Sequence, residues 1–292
     1  MKILITGSQG QLGRELADAL TRAGRTDFVC AGIDTLDITD QKAVEAFLRA
    51  GAFTHVVNCA AFTAVDRAEE LKAECAAINI AGVENIARLA DELDLRIVHI
   101  STDYIFDGTA CRPYSETDKP NPLNVYGSTK RKGETALLGL APFSVIVRTG
   151  WLYSPHGRNF VKTILGRGHE GKRLEVVADQ IGTPTYAADL AEAIVAIITA
   201  PAWTPGIYNY SNEGVASWYD FAVAILESAG MYDRAAKIVP VPSSDYPATA
   251  TRPAYAVLDK SRIKATFGIK VPHWLASLRR CVERIENDNI SE

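Results

Sequence analysis

Three groups of residues have types and spacing suited to redox chemistry on a bound cofactor. Tyr126 and Lys130 stand four apart in Tyr126-Gly127-Ser128-Thr129-Lys130. On a helix that spacing puts both on one face. A fixed ammonium beside a phenol favours the phenolate, so the tyrosine pKa is expected to fall toward the working range. Tyr126 then reads as a proton donor to a carbonyl oxygen and Lys130 as a ribose-binding cation. Ser101-Thr102 follows the apolar run Ile97–Ile100. A hydroxyl at a strand end is placed to bond a substrate carbonyl, and Thr102 is the candidate. A serine or threonine that simply caps the strand is the bland alternative.

The third group is Gly7-Ser8-Gln9-Gly10-Gln11-Leu12-Gly13. Glycines at this G-x-x-G-x-x-G spacing permit a tight turn and close approach of backbone to a diphosphate. A helix opening there adds unpaired N–H groups and the positive end of its dipole. Further on, Gly32-Ile33-Asp34 forms the tip of the second apolar run. An acid there would bind the adenosine ribose, and an arginine beyond it would favour a 2′-phosphate. Asp34 comes slightly late and no arginine follows, so NADH and NADPH both stay open. Asp37 accepts from an adenine amino group or caps the helix near Asp40, and the two readings are about equal.

These groups need elements to position them. Lys2–Thr6, Phe28–Ala31, His55–Cys59, Arg96–Ile100 and Ser144–Arg148 are short apolar runs. Leu12, Leu16 and Leu20, then Val44, Phe47 and Leu48, then Ala76–Leu93, carry helical patterns between them. Continuous apolar strands alternating with helices predict a parallel sheet covered on both faces, wound in both directions. The fold class is therefore α/β, a doubly wound Rossmann sheet with a smaller C-terminal α/β substrate domain. Residues 1–150 make the dinucleotide-binding domain, with later strands from about 175–210. Residues 151–292 are mainly substrate-binding, with a strand at Ile207–Tyr210 and helices at Trp218–Leu226 and Trp274–Val282.

Composition narrows the function classes. The 292 residues are 47% hydrophobic and 23% charged, with net charge −4. Disorder as the main state and a basic nucleic-acid surface are both disfavoured. No apolar run approaches the roughly 18 residues of a membrane span. Met1–Gly7 lacks the features of a signal peptide, so a cytoplasmic location is expected. Five scattered cysteines (Cys30, Cys59, Cys75, Cys111, Cys281) fit reduced thiols. The histidines have no H-E-x-x-H or C-x-x-C companion, which argues against zinc.

The combination resembles the extended short-chain dehydrogenase/reductase family, over nearly the whole chain. The segments that carry it are Gly7–Gly13, Asn58–Glu69, Ser101–Gly108, Pro122–Gly127, Arg148–Tyr153, Asp179–Thr185 and Thr251–Pro253. The most specific are Asn58–Glu69 and Asp179–Thr185. Within the family it is most similar to the branch that reduces the C4 ketone of dTDP-4-dehydro-β-L-rhamnose with NADPH or NADH.

That resemblance implies a catalytic triad of Thr102, Tyr126 and Lys130. It implies that Gly7, Gln9, Gly10, Gln11 and Leu12 line the cofactor diphosphate, and Asp37 and Ile38 the adenine. Ala60, Ala61 and Thr63 would line the ribose and nicotinamide. Thr63, Val65, Tyr104 and Trp151 would contact the deoxysugar, and Gln180 and Arg252 the nucleotide end of the dTDP-sugar. Some members of the branch are magnesium-linked dimers using two glutamates. Glu15 matches the first, but the second position holds Ala188, with Asp189 beside it. No metal is therefore expected, and the chain is expected to be a monomer or weak homodimer. The rival readings are an epimerase or dehydratase of the same family with retained NAD, and a non-catalytic nucleotide-binding regulator.

Overall fold

A computed structural model describes residues 1–235 and 237–290. Six strands form one fully parallel sheet: β1 (Ile3–Thr6), β2 (Phe28–Ala31), β3 (His55–Asn58), β4 (Arg96–Thr102), β5 (Val145–Thr149) and, much later, β10 (Gly206–Asn209). Their spatial order is β10-β5-β4-β3-β1-β2. Every residue of β1, β3 and β5 is buried, which is why these strands read as unbroken apolar runs. The chain passes from β1 outward to β2, then returns to pair β3 on the other side of β1. That reversal opens a crevice beyond the carboxyl ends of the strands, where ligands of such sheets bind.

Helices cover both faces. They are α1 (Gln11–Arg22), α2 (Gln41–Gly51), α3 (Val65–Glu70), α4 (Lys72–Ala76), α5 (Gly82–Ala87) and α6 (Val125–Leu140). The continuous helix expected over Ala76–Leu93 is instead α4, a π turn at Ala77–Ala81, and α5. The buried Asn79 sits in that turn and accepts from Phe62 N (2.9 Å) while donating to Phe62 O (3.1 Å). These bonds tie the loop after β3 to the helix. Asp40 caps α2 by accepting from Lys42 N and Ala43 N.

The remaining elements are β6 (Leu152–Tyr153), α7 (Phe160–Glu170), β7 (Leu174–Val177), β8 (Ile181–Gly182), β9 (Thr185–Tyr186), α8 (Ala187–Ile198), β11 (Ala216–Ser217), α9 (Trp218–Ser228), α10 (Tyr232–Ala235), β12 (Ile238–Val241), α11 (Ser261–Phe267) and α12 (Trp274–Ile290). Of the later strands, β10 joins the main sheet, whereas β7 pairs with β12 outside it. α8 packs on α1 and completes one face of the main sheet. A separate apolar core, including Tyr153, Phe221, Trp274 and Leu278, is built entirely from residues beyond 150. No described helix is long and apolar enough to cross a membrane.

Candidate active site

A cavity of about 970 Å³ lies along the carboxyl ends of the strands. One end is the turn between β1 and α1. Gly7 has φ +61, and a Cβ there would sit 2.6 Å from Ala60 N, so both conformation and contact require glycine. Gly10 is the N-cap of α1 and supplies no side-chain cap. The first N–H groups of the helix are thus left for a ligand. Gly7, Gln9, Gly10, Gln11 and Leu12 all line the cavity, as do Asp37, Ile38, Ala60, Ala61 and Thr63. Asp37 also accepts from Thr39 N (2.9 Å) and Thr39 Oγ1 (2.8 Å). Asp34 does not line the cavity; its carboxylate accepts from Gln9 Nε2 at 3.4 Å.

The middle of the cavity holds Thr102, Tyr126 and Lys130. Thr102 is the last residue of β4. Tyr126 and Lys130 project from one face of α6, whose N-cap Asn124 accepts from Gly127 N. Gly127 must be small, because a Cβ there would lie 2.1 Å from Tyr104 O. The buried Lys130 donates from Nζ to Ile100 O (2.6 Å) and lies 3.3 Å from His99 Nε2. Burial lowers its pKa to about 8.

The phenol behaves differently from the sequence expectation. Burial pushes the Tyr126 pKa up, and a bond with Thr102 only partly opposes this. Lys130 is committed to the β4 backbone, so desolvation outweighs the ammonium's influence. Tyr126 therefore rests as a neutral phenol, the protonation state a proton donor needs.

The far end is aromatic. Trp151 takes φ +50, uncommon for a bulky residue, and stacks on Trp218 at 3.5 Å and 7°. Gly182 lets it settle there, since a Cβ would fall 2.6 Å from the indole. Thr63, Val65 and Tyr104 line the same end, with the Tyr104 ring edge-on to Tyr126 at 6.0 Å. Two residues expected near substrate lie outside the lining. Gln180 donates to Ser243 Oγ at 2.9 Å. Arg252 pairs with Asp66 at 2.5 Å and bonds the Tyr104 hydroxyl, so it meets the cavity through that tyrosine.

Several lining residues were given no site role in the sequence reading. Asp103 is 2% exposed, accepts from Thr102 Oγ1 at 3.0 Å, and has its pKa raised by burial to about 7. Its carboxylate lies against Gly150, where a Cβ would be 2.2 Å from Oδ2. Its place beside Thr102 was the available signal. Trp218, Arg158 and Asn159 come from distant segments and join only through the fold.

Away from the cavity, Glu15, Asp18 and His156 bring ligand atoms within 4.8 Å of one another. Arg284 already serves this cluster. Its Nη1 bonds both Glu15 oxygens at 2.9 Å, and its Nη2 reaches Asp18 at 3.1 Å and His156 at 3.3 Å. Asp189, beside Ala188, is held by Asn212, Ser277 and Arg280.

A Rossmann sheet with a glycine turn at one end of its crevice and a threonine, tyrosine and lysine at its centre defines a nicotinamide-dependent oxidoreductase of the extended short-chain class. Comparison with known proteins narrows this. The chain belongs to the family described as RmlD substrate binding domain, whose model matches residues 1–287. It is 40% identical over 286 residues to dTDP-4-dehydrorhamnose reductase of Aggregatibacter actinomycetemcomitans, covering 95% of this chain and 97% of that one. The crystal structure of a dTDP-4-dehydrorhamnose reductase from Clostridium acetobutylicum superposes with TM-score 0.93 at 40% identity, covering 98% of this chain and 100% of the other. The Bacillus anthracis dTDP-4-dehydrorhamnose reductase, solved in complex with NADP, gives TM-score 0.92 at 36% identity, covering 97% and 100%.

Proposed function

We propose that this chain reduces the C4 ketone of dTDP-4-dehydro-β-L-rhamnose to dTDP-L-rhamnose with NADPH or NADH. The observation that carries the reading is one continuous cavity. It holds an uncapped helix N-terminus at one end, Thr102, Tyr126 and Lys130 at the centre, and a tryptophan stack at the other. The uncapped N–H groups and the close glycine contacts fit a dinucleotide diphosphate.

Gly7, Gln9, Gly10, Gln11 and Leu12 hold that diphosphate, Asp37 and Ile38 the adenine, and Ala60, Ala61 and Thr63 the ribose and nicotinamide. The reduced nicotinamide supplies the hydride. Tyr126 donates its phenolic proton to the ketone oxygen as it becomes an alkoxide. Lys130 binds the ribose hydroxyls and stabilises the phenolate left behind. Thr102 positions the ketone oxygen against Tyr126. Thr63, Val65, Tyr104 and Trp151 hold the deoxysugar. Arg252 and Gln180 face the nucleotide end from beyond the cavity rim.

Residues 1–150 with β10 serve as the dinucleotide-binding domain, and residues 151–292, of which the last two lie outside the described residues, mainly as the substrate domain. The five free thiols support a cytoplasmic site of action. Arg284, which bonds both Glu15 oxygens and reaches Asp18, supports the reading without a metal bridge, and a monomer or weak homodimer goes with it.

The test is loss of reduced-nicotinamide absorbance with dTDP-4-dehydro-β-L-rhamnose generated in situ, NADH and NADPH run in parallel. Turnover that disappears in Tyr126→Phe supports both reaction and acid. Absence of turnover with either cofactor, despite measurable cofactor binding, refutes this substrate.

A further inference from the structure

The loop between β6 and α7 crosses from the C-terminal core to the glycine turn. Asn159 caps α7 by accepting from Lys162 N at 3.1 Å. Its Nδ2 donates to Gln11 Oε1 at 2.9 Å and to Ser154 O at 2.7 Å. Ser154 Oγ lies 3.2 Å from the same Gln11 oxygen and 3.0 Å from His156 O, which share its one hydrogen. Gly157, at φ +65, brings the backbone down on Gln11; a Cβ there would lie 3.5 Å from Gln11 Cγ. The loop is thus fastened to the first residue of α1, at the uncapped helix N-terminus.

Arg158 is the next residue; it is exposed and stands among the residues that line the cavity. Among the described residues it has no hydrogen bond or ion pair. Among the described residues, two basic ones line the cavity, Arg158 and Lys130, and Lys130 is spoken for by Ile100 and His99. A dinucleotide diphosphate carries two negative charges. The helix dipole offsets about half a charge. A guanidinium offers paired donors in a planar fork that matches phosphate oxygens.

We infer that Arg158 closes on the cofactor diphosphate from the side opposite the glycine turn, with Gln11 as the latch that sets the loop's position. This rests on the reductase reading above, and assigns that site a cofactor-binding residue from the C-terminal half of the chain. A solvated surface arginine is the competing view. The fastening of its loop to Gln11 through Asn159, at the glycine end of the cavity, argues against it.

The experiment measures binding without turnover. NADH and ADP-ribose are titrated into wild type, Arg158→Gln and Arg158→Lys, and dTDP is titrated separately into each. Thermal melting checks that the variants are folded. Losing a charge-assisted contact to phosphate is expected to weaken NADH and ADP-ribose about tenfold or more in Arg158→Gln. The salt dependence of NADH binding should flatten, Arg158→Lys should recover part of the loss, and dTDP affinity should hold. Unchanged NADH affinity in Arg158→Gln overturns the inference, and so does a loss confined to dTDP, which would place Arg158 on the sugar-nucleotide diphosphate. A wild type that binds neither NADH nor NADPH would instead overturn the reductase reading itself.

Discussion

Thr102 donates its hydroxyl to Asp103 Oδ1 at 3.0 Å and also bonds the Tyr126 phenol, so the residue meant to position the ketone stands between an acid and the proton donor. Tyr104 N in turn donates to Thr102 Oγ1 at 3.2 Å. The protonation state of Asp103 therefore governs which way Thr102 bonds.

Asp103 makes stability fall with rising pH. Its carboxyl is raised from 3.8 to about 7 in the folded chain. Between those values the folded state holds a proton that the unfolded state has lost, so stability falls as pH rises through that window. Below it both states are protonated, and above it the full penalty applies. Asp103→Asn is uncharged throughout. Its melting temperature relative to wild type should climb from about pH 4 to about pH 7 and then level off. Parallel melting curves for the two proteins would show that Asp103 ionises as an ordinary carboxylate.

Tyr126→Phe removes the acid but keeps the ring that meets Tyr104 edge-on. Loss of a positioned proton donor reduces turnover by about 10²–10⁴-fold. The dissociation constant for NADH should change little. Stopped-flow hydride transfer alongside a binding titration separates the two, and near wild-type turnover would remove Tyr126 from the chemistry.

Lys130 loses its charge as pH rises through about 8, because burial depresses its pKa from 10.5. The ammonium is the form that stabilises a phenolate. The free enzyme's kcat/KM should therefore descend above about pH 8, since that parameter reports free-enzyme ionisations. A profile flat across that range would indicate that the lysine stays charged or plays no electrostatic part.

Arg284→Met leaves Glu15, which has no exposed side-chain surface, without its cation. Stranding a buried carboxylate costs about 3–5 kcal/mol, and the lower end is expected because Arg284 itself is one-third exposed. Denaturant unfolding reads the loss. The same change frees Glu15, Asp18 and His156 for a divalent cation, so added magnesium should raise the melting temperature of the variant and leave wild type alone.

The glycine turn and the Tyr126–Lys130 pair were legible because each is local: the spacing alone fixes which atoms share a turn or a helix face. Strands β1, β3 and β5 were legible because full burial writes itself as apolar runs. Even the late strand was found, as Ile207–Tyr210 against the observed Gly206–Asn209. What stayed hidden depends on distance in sequence or on burial. Trp218 meets Trp151 across 67 residues, and no pattern in either segment announces that stack. The rise in the Tyr126 pKa was missed because proximity to a lysine can be read from spacing, while desolvation and the lysine's commitment to Ile100 cannot. The π turn at Ala77–Ala81 was missed because its residues suit an α-helix equally well.

The placement of β10 bears on how the molecule is made. Between β5 and β10 the chain builds β6, α7, β7, β8, β9 and α8. Until residues 206–209 arrive, β5 presents a bare row of N–H and C=O groups, and until residues 187–198 arrive α1 lacks the helix that covers its apolar side. A nascent chain of 150 residues is thus an unfinished sheet with a sticky edge. Synthesis of the first half does not end in a finished, independent body. Completing the main sheet therefore waits on a pairing between strands far apart in sequence, the circumstance that slows folding and lengthens exposure to aggregation.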